Sequence, residues 1–66
     1  MSKFTLKAAR VNAGLKQIEV AKALNINNKT LWKWEKGKSL PDAQIIGELC
    51  RLYNCSYDDI IFLPAN

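Results

Sequence analysis

Apolar residues recur at three- and four-residue steps along most of the chain, while no run alternates with period two, so the pattern predicts helices and no strands. Thr5 is placed to cap a first helix whose Leu6, Ala9 and Ala13 share one side, and Gly14 ends it. A second helix over 17–24 carries Ile18, Val20, Ala21 and Leu24 as its inward stripe; Lys16 takes the cap position without a side-chain acceptor, and Glu19 falls in the first turn. Asn25, which tolerates the left-handed conformation, closes that helix, Ile26 plugs the turn, and Asn27 caps a third helix over 28–36 that Gly37 terminates. With Leu31 pointing inward and about 100° per residue, Trp34 and Glu35 lie near the core while Lys29, Trp32, Lys33 and Lys36 share the opposite face. Asp42 caps a fourth helix reaching Tyr53, whose core side is Ile45, Ile46, Leu49, Cys50, Leu52 and Tyr53. Asn54 repeats the ending of Asn25. Ser56 and Asp59 form the pattern of a capping box opening a fifth short helix over 57–62, which Pro64 stops. The expected architecture is all-α: five short helices in one compact domain over 1–66, with flexible ends at about 1–4 and 64–66.

Composition agrees with a folded chain, since 48% of its residues are hydrophobic and only 24% charged, although 66 residues lie near the lower size at which a core stands alone. The charge is unevenly spread. Residues 3, 7, 10, 16, 22, 29, 33, 36 and 38 are Lys or Arg against Glu19 and Glu35, a balance of +7; from Ser39 onward Arg51 faces Asp42, Glu48, Asp58 and Asp59, a balance of −3. A net charge of +4 therefore hides a basic first half of the kind that meets a polyanion, although a solvated lysine face has the same composition. Cys50 and Cys55 read as reduced, small core residues of a cytoplasmic protein, because the sequence has no signal peptide and no apolar run of membrane-spanning length. Without histidine, a CxxxxC pair supplies too few ligands for zinc, and neither cofactor nor metal is expected. There is no glycine-rich phosphate loop and no nucleophile–base set, which argues against an enzyme, and the apolar stripes are short enough that the core needs them rather than a membrane.

The segments LKAARVNAGLKQ, the small Ala21 inside helix two, LNIN, LWKWEKGK, Pro41 and YNCSYDDI together resemble the helix-turn-helix domain of the phage Cro and repressor family, often called XRE-type, over residues 6 to about 62. The resemblance implies a lambda-repressor-like fold with the helix-turn-helix at helices two and three. It also implies a sequence-specific regulator of transcription acting on double-stranded DNA, with repression the favoured sign. At this length a Cro-like or small prophage-type regulator without a separate sensor domain is expected. The chain departs from the family at LNIN, where Leu-Gly-Val-Ser is usual, and Lys16 and Gly47 weaken helices.

Carried onto this sequence, the family pattern gives Gln17 a phosphate contact that also braces helix three, and gives Asn28, Lys29 and Lys33 the base-reading positions. An asparagine can bond adenine N6 and N7 together, and lysine can donate to guanine O6 and N7. Lys36, Lys38 and the amides around Gly37 fall in a loop pressed to the phosphate backbone, with Lys7 and Lys16 as peripheral contacts. Arg10 and Glu35 match a pair that forms an ion pair between helices one and three. Trp32 sits among the base-reading positions and keeps three readings: contact with thymine methyls or sugars, a lid over neighbouring lysine stems, or a protein contact. The apolar run Ile60, Ile61, Phe62 and Leu63 exceeds what one short helix buries on a single face. The excess, Phe62 and Leu63 with part of Tyr57, is either further core or a homodimer interface, which family members usually form near this end. The rival reading is a protein-interaction module, an antirepressor or complex subunit, that keeps the fold and uses the Trp32 surface. No small-molecule substrate is implied.

Overall fold

The computed structural model describes residues 3–62. A two-residue strand β1 (Phe4–Thr5) leads into α1 (Leu6–Asn12), followed by α2 (Gln17–Leu24), α3 (Asn28–Glu35) and α4 (Ala43–Tyr53). A single 3-10 turn (Tyr57–Asp59) then precedes a second short strand, β2 (Ile60–Ile61), which pairs in parallel with β1, Phe4 opposite Ile60 and Thr5 opposite Ile61.

All four α-helices end in the same way. Gly14, Asn25, Gly37 and Asn54 adopt φ of 74°, 56°, 75° and 54°. In each case the next residue donates its amide back to the carbonyl five positions earlier: Leu15 to Arg10 at 3.2 Å, Ile26 to Ala21 at 2.9 Å, Lys38 to Lys33 at 2.9 Å and Cys55 to Cys50 at 3.0 Å. This is the Schellman closure, which satisfies carbonyls that a helix end otherwise leaves unpaired and turns the chain sharply. Starts are capped by side chains. The amide of Ala8 donates to Thr5 Oγ1, that of Lys29 to Asn27 Oδ1 and that of Ile45 to Asp42 Oδ1. At α2 the lysine side chain cannot accept, and Glu19 Oε1 instead receives the Lys16 amide at 2.8 Å.

The core is Leu6, Ala9, Val20, Leu31, Leu49, Tyr53 and Ile60, with Phe4, Leu15, Leu24, Ile26 and Trp34 among the half-buried residues packed on it. Ala21 is also buried, and its single methyl lets α2 and α3 cross closely. Cys50 and Cys55 carry free, half-buried thiols, and burial, then the neighbouring Cys50, pushes the Cys55 thiol up.

The structure corrects four expectations: the fifth helix, the absence of strands, the flexible Phe4 and the inward Ile18. The fifth helix is absent. The capping box forms, with Ser56 N–H and Oγ both donating to Asp59 Oδ2, but it closes only one 3-10 turn. The chain then extends, because Ile60 and Ile61 are β-branched and pairing with β1 sends Ile60 into the core and Ile61 outward. That alternation accommodates apolar residues that a single helical face could not bury, and it introduces strands where none were expected. Phe4, assigned to a flexible lead-in, is packed in β1; residues 1–2, Leu63, and the end at 64–66 with Pro64 lie outside the described residues. Ile18 is 63% exposed rather than part of the inward stripe, since Gln17, Val20, Ala21 and Leu24 set the inner direction of α2 and Ile18 falls about 100° away from it. Two small shifts accompany these: α1 and α3 stop at Asn12 and Glu35, with Ala13 and Lys36 as their caps, and Ala13 is exposed.

The helix ends and interior predict opposite responses. Gly47 sits inside α4 where an added Cβ meets nothing within 4 Å, so Gly47→Ala should raise stability by up to about 1 kcal/mol. Asn25→Ala should lower it by about 1 kcal/mol, the cost of a left-handed alanine. Urea unfolding midpoints that moved in the same direction for both variants would contradict this account.

Candidate nucleic-acid interface

The site is built around one buried carboxylate. Glu35, in the last turn of α3, is 6% exposed and Arg10, from the last turn of α1, is 8% exposed. Arg10 Nε donates to Glu35 Oε2 at 2.7 Å and Nη2 to Oε1 at 3.3 Å, a two-pronged pairing that suits the planar guanidinium. Its remaining terminal nitrogen, Nη1, donates to the Leu15 carbonyl at 2.9 Å and so ties down the turn between α1 and α2. Gln17 Nε2 donates to Glu35 Oε1 at 2.9 Å, and because a carboxylate only accepts, the amide nitrogen must be the end that faces it. Glu35 thereby joins α1, the following turn, α2 and α3 in one hydrogen-bonded cluster.

Beside this cluster Tyr53 of α4 is 5% exposed and its hydroxyl makes no hydrogen bond among the described residues. Burial, and after it the charge of Glu35, pushes the phenol pKa up, while Arg10 opposes the shift. Tyr53 therefore stays neutral. Sequence reasoning assigned it to the core without detecting its nearness to the ion pair.

The predicted surface residues divide into two groups. Asn28, in the first turn of α3, and Lys29 and Lys33 on its outer side are all exposed. Lys7, Gln17, Trp32, Glu35 and Lys36 converge on a notch of about 150 Å³ beside them. Lys16 and Lys38 are exposed but do not line it. Lys36 Nζ lies 5.9 Å from the centroid of the Trp32 ring, an arrangement that the four-residue spacing on one helical face makes possible. Among the described residues Arg10–Glu35 is the only ion pair, so the lysines of this face are not neutralised by neighbouring carboxylates. Their charge is left for solvent or an anion.

At the other end of the chain Tyr57 is 60% exposed and its ring packs against Phe62 with centroids 5.8 Å apart; Ile61 beside them is also exposed. Tyr57 and Phe62 thus form part of one apolar patch, and Leu63 lies outside the described residues. No helix among the described residues is long and apolar enough to cross a membrane.

Comparison with known proteins gives a consistent result. A family model described as helix-turn-helix matches residues 6–60. The HTH-type transcriptional regulator ImmR of Bacillus subtilis (strain 168) is 41% identical over 56 residues, covering 85% of this chain and 44% of the relative. Antitoxin PezA of Streptococcus pneumoniae serotype 4 (strain ATCC BAA-334 / TIGR4) is 32% identical over 56 residues, covering 85% of this chain and 35% of the relative. The chain thus spans less than half the length of these curated relatives. No solved structure gives a significant match.

The buried pair predicts a specific pattern of stability. Arg10→Met strands the Glu35 charge and should cost about 3–5 kcal/mol, whereas Arg10→Met combined with Glu35→Leu should recover most of that loss. Denaturant unfolding of the three proteins measures both, and a single variant within about 1 kcal/mol of the parent would refute the clamp.

Proposed function

Because the chain belongs to the XRE-type helix-turn-helix family, we propose that it is a sequence-specific double-stranded DNA-binding regulator of transcription, a Cro-like or small prophage-type repressor working as a dimer. The observation that carries this reading is the outer face of α3, where Asn28, Lys29 and Lys33 stand exposed with no carboxylate paired to the lysines. In this reading the α3 face enters the major groove, and Asn28, Lys29 and Lys33 meet base edges. Gln17, at the first position of α2, presents an amide and helix N-terminal N–H groups to a phosphate, with Lys7, Lys16, Lys36 and Lys38 adding charge along the backbone. Occupancy of the operator is the mechanism: phosphate contacts supply affinity, α3 supplies sequence choice, and the bound protein blocks polymerase. The similarity to ImmR, named as a transcriptional regulator, supports the regulatory role.

Tyr57, which is exposed, and Phe62, half-buried against it, form the proposed dimer contact, to which Leu63 is also assigned as an expectation from the sequence. A two-fold dimer would place its two α3 helices about 34 Å apart, one turn of DNA, on a near-palindromic operator. The similarity to an antitoxin supports a second reading, in which the fold serves as a protein-interaction module using the Trp32 surface. The two readings separate on whether any duplex is bound at low salt.

Selection from randomised duplexes, followed by affinity measurements over a salt series, tests the proposal. Binding should fall steeply with salt, Lys33→Ala should change the selected motif, and Gln17→Ala should weaken every duplex alike. A motif untouched by Lys33→Ala would remove that residue from base reading. Sedimentation of the protein on its selected duplex should show two chains per site, and one chain would rule out the dimer.

A further inference from the structure

We infer that Trp32 is a positioning residue for a backbone phosphate rather than a reader of bases: its indole holds the Lys36 ammonium at the mouth of the notch formed with Lys7 and Gln17. The inference rests on the DNA-binding reading above and chooses among the three readings left open for Trp32.

The geometry argues for it in three steps. Trp32 lies on the exposed side of α3, 36% exposed, and the Lys36 ammonium sits over its ring at 5.9 Å. The Lys36 amide also donates to the Trp32 carbonyl at 2.9 Å, so the backbone relation of the two residues is fixed by the helix end. A flexible lysine stem is thereby given a preferred direction, which reduces the entropy lost when it meets an anion.

The notch itself has the chemistry of an anion site. Its one carboxylate, Glu35, is already paired with Arg10 and bonded by Gln17, which leaves the charges of Lys7 and Lys36 uncompensated. Gln17 uses one N–H on Glu35 and has a second to offer. Trp32 supplies the apolar wall, against which a deoxyribose can rest while the adjoining phosphate meets the two lysines. With the ring engaged by Lys36, groove reading falls to Asn28, Lys29 and Lys33.

A double-mutant cycle on the selected duplex tests this, using Trp32→Ala, Trp32→Phe, Lys36→Ala and the Trp32→Ala/Lys36→Ala pair, each checked for an unchanged unfolding midpoint. Trp32→Ala should weaken all duplexes by about three-fold, leave the selected motif intact and lower the salt slope toward that of Lys36→Ala. Trp32→Phe should retain most of the affinity, and Trp32→Ala should have no further effect once Lys36 is alanine. A changed motif in Trp32→Ala, or effects of Trp32 and Lys36 that simply add, would overturn the inference while leaving the DNA-binding reading standing. A parent protein that binds no duplex at low salt would overturn both.

Discussion

The structure depends on how one buried negative charge is satisfied. Glu35 would be costly to place in the interior alone, and it is tolerated because Arg10 meets both of its oxygens and Gln17 meets one. Since these partners come from α1 and α2 while Glu35 comes from α3, satisfying the charge also fixes how the helices sit against one another. Apolar packing through Val20, Ala21 and Leu31 brings α2 and α3 together, but its driving force is non-directional. Directional hydrogen bonds restrict that freedom. Arg10 extends the restriction to the α1–α2 turn through the Leu15 carbonyl.

This arrangement separates the inner and outer chemistry of α3. Its inner side carries Leu31 and Glu35, which anchor it; Lys29, Trp32 and Lys33 on its outer side and Asn28 in its first turn are exposed. The repeated Schellman closures serve the same end, because short helices with sharp, fully bonded ends keep the exposed lysines at defined places. Gln17 belongs to both sides. It is bonded to the buried carboxylate, lines the notch and opens α2.

Much of this was legible in the sequence because the signals were local. Gly14, Asn25, Gly37 and Asn54 mark left-handed positions, and the structure uses each of them to end a helix. Thr5, Asn27 and Asp42 announce the starts by their side-chain chemistry. The segment after Asn54 was misread because four successive apolar residues have no period, and the choice between helix and strand was made by a distant partner, Phe4–Thr5, 56 positions earlier in register. The family resemblance implied that Gln17 braces α3, but Glu35 as its partner was hidden for a similar reason, since the bond joins residues 18 apart and depends on the angle between two helices. By contrast the contact of Lys36 with the Trp32 ring follows from a four-residue spacing; the sequence left open only a lid over neighbouring lysine stems, without naming Lys36.

In the proposed reading one surface, the outer side of α3 with the start of α2 beside it, meets DNA. Amide chemical-shift mapping of the protein titrated with its selected duplex tests this most directly. The largest changes are expected at Gln17, at Asn28 to Lys33 and at Lys36 to Lys38, with little change along the exposed side of α4 at Arg51. Changes concentrated on α4, with the α3 amides unmoved, would contradict it.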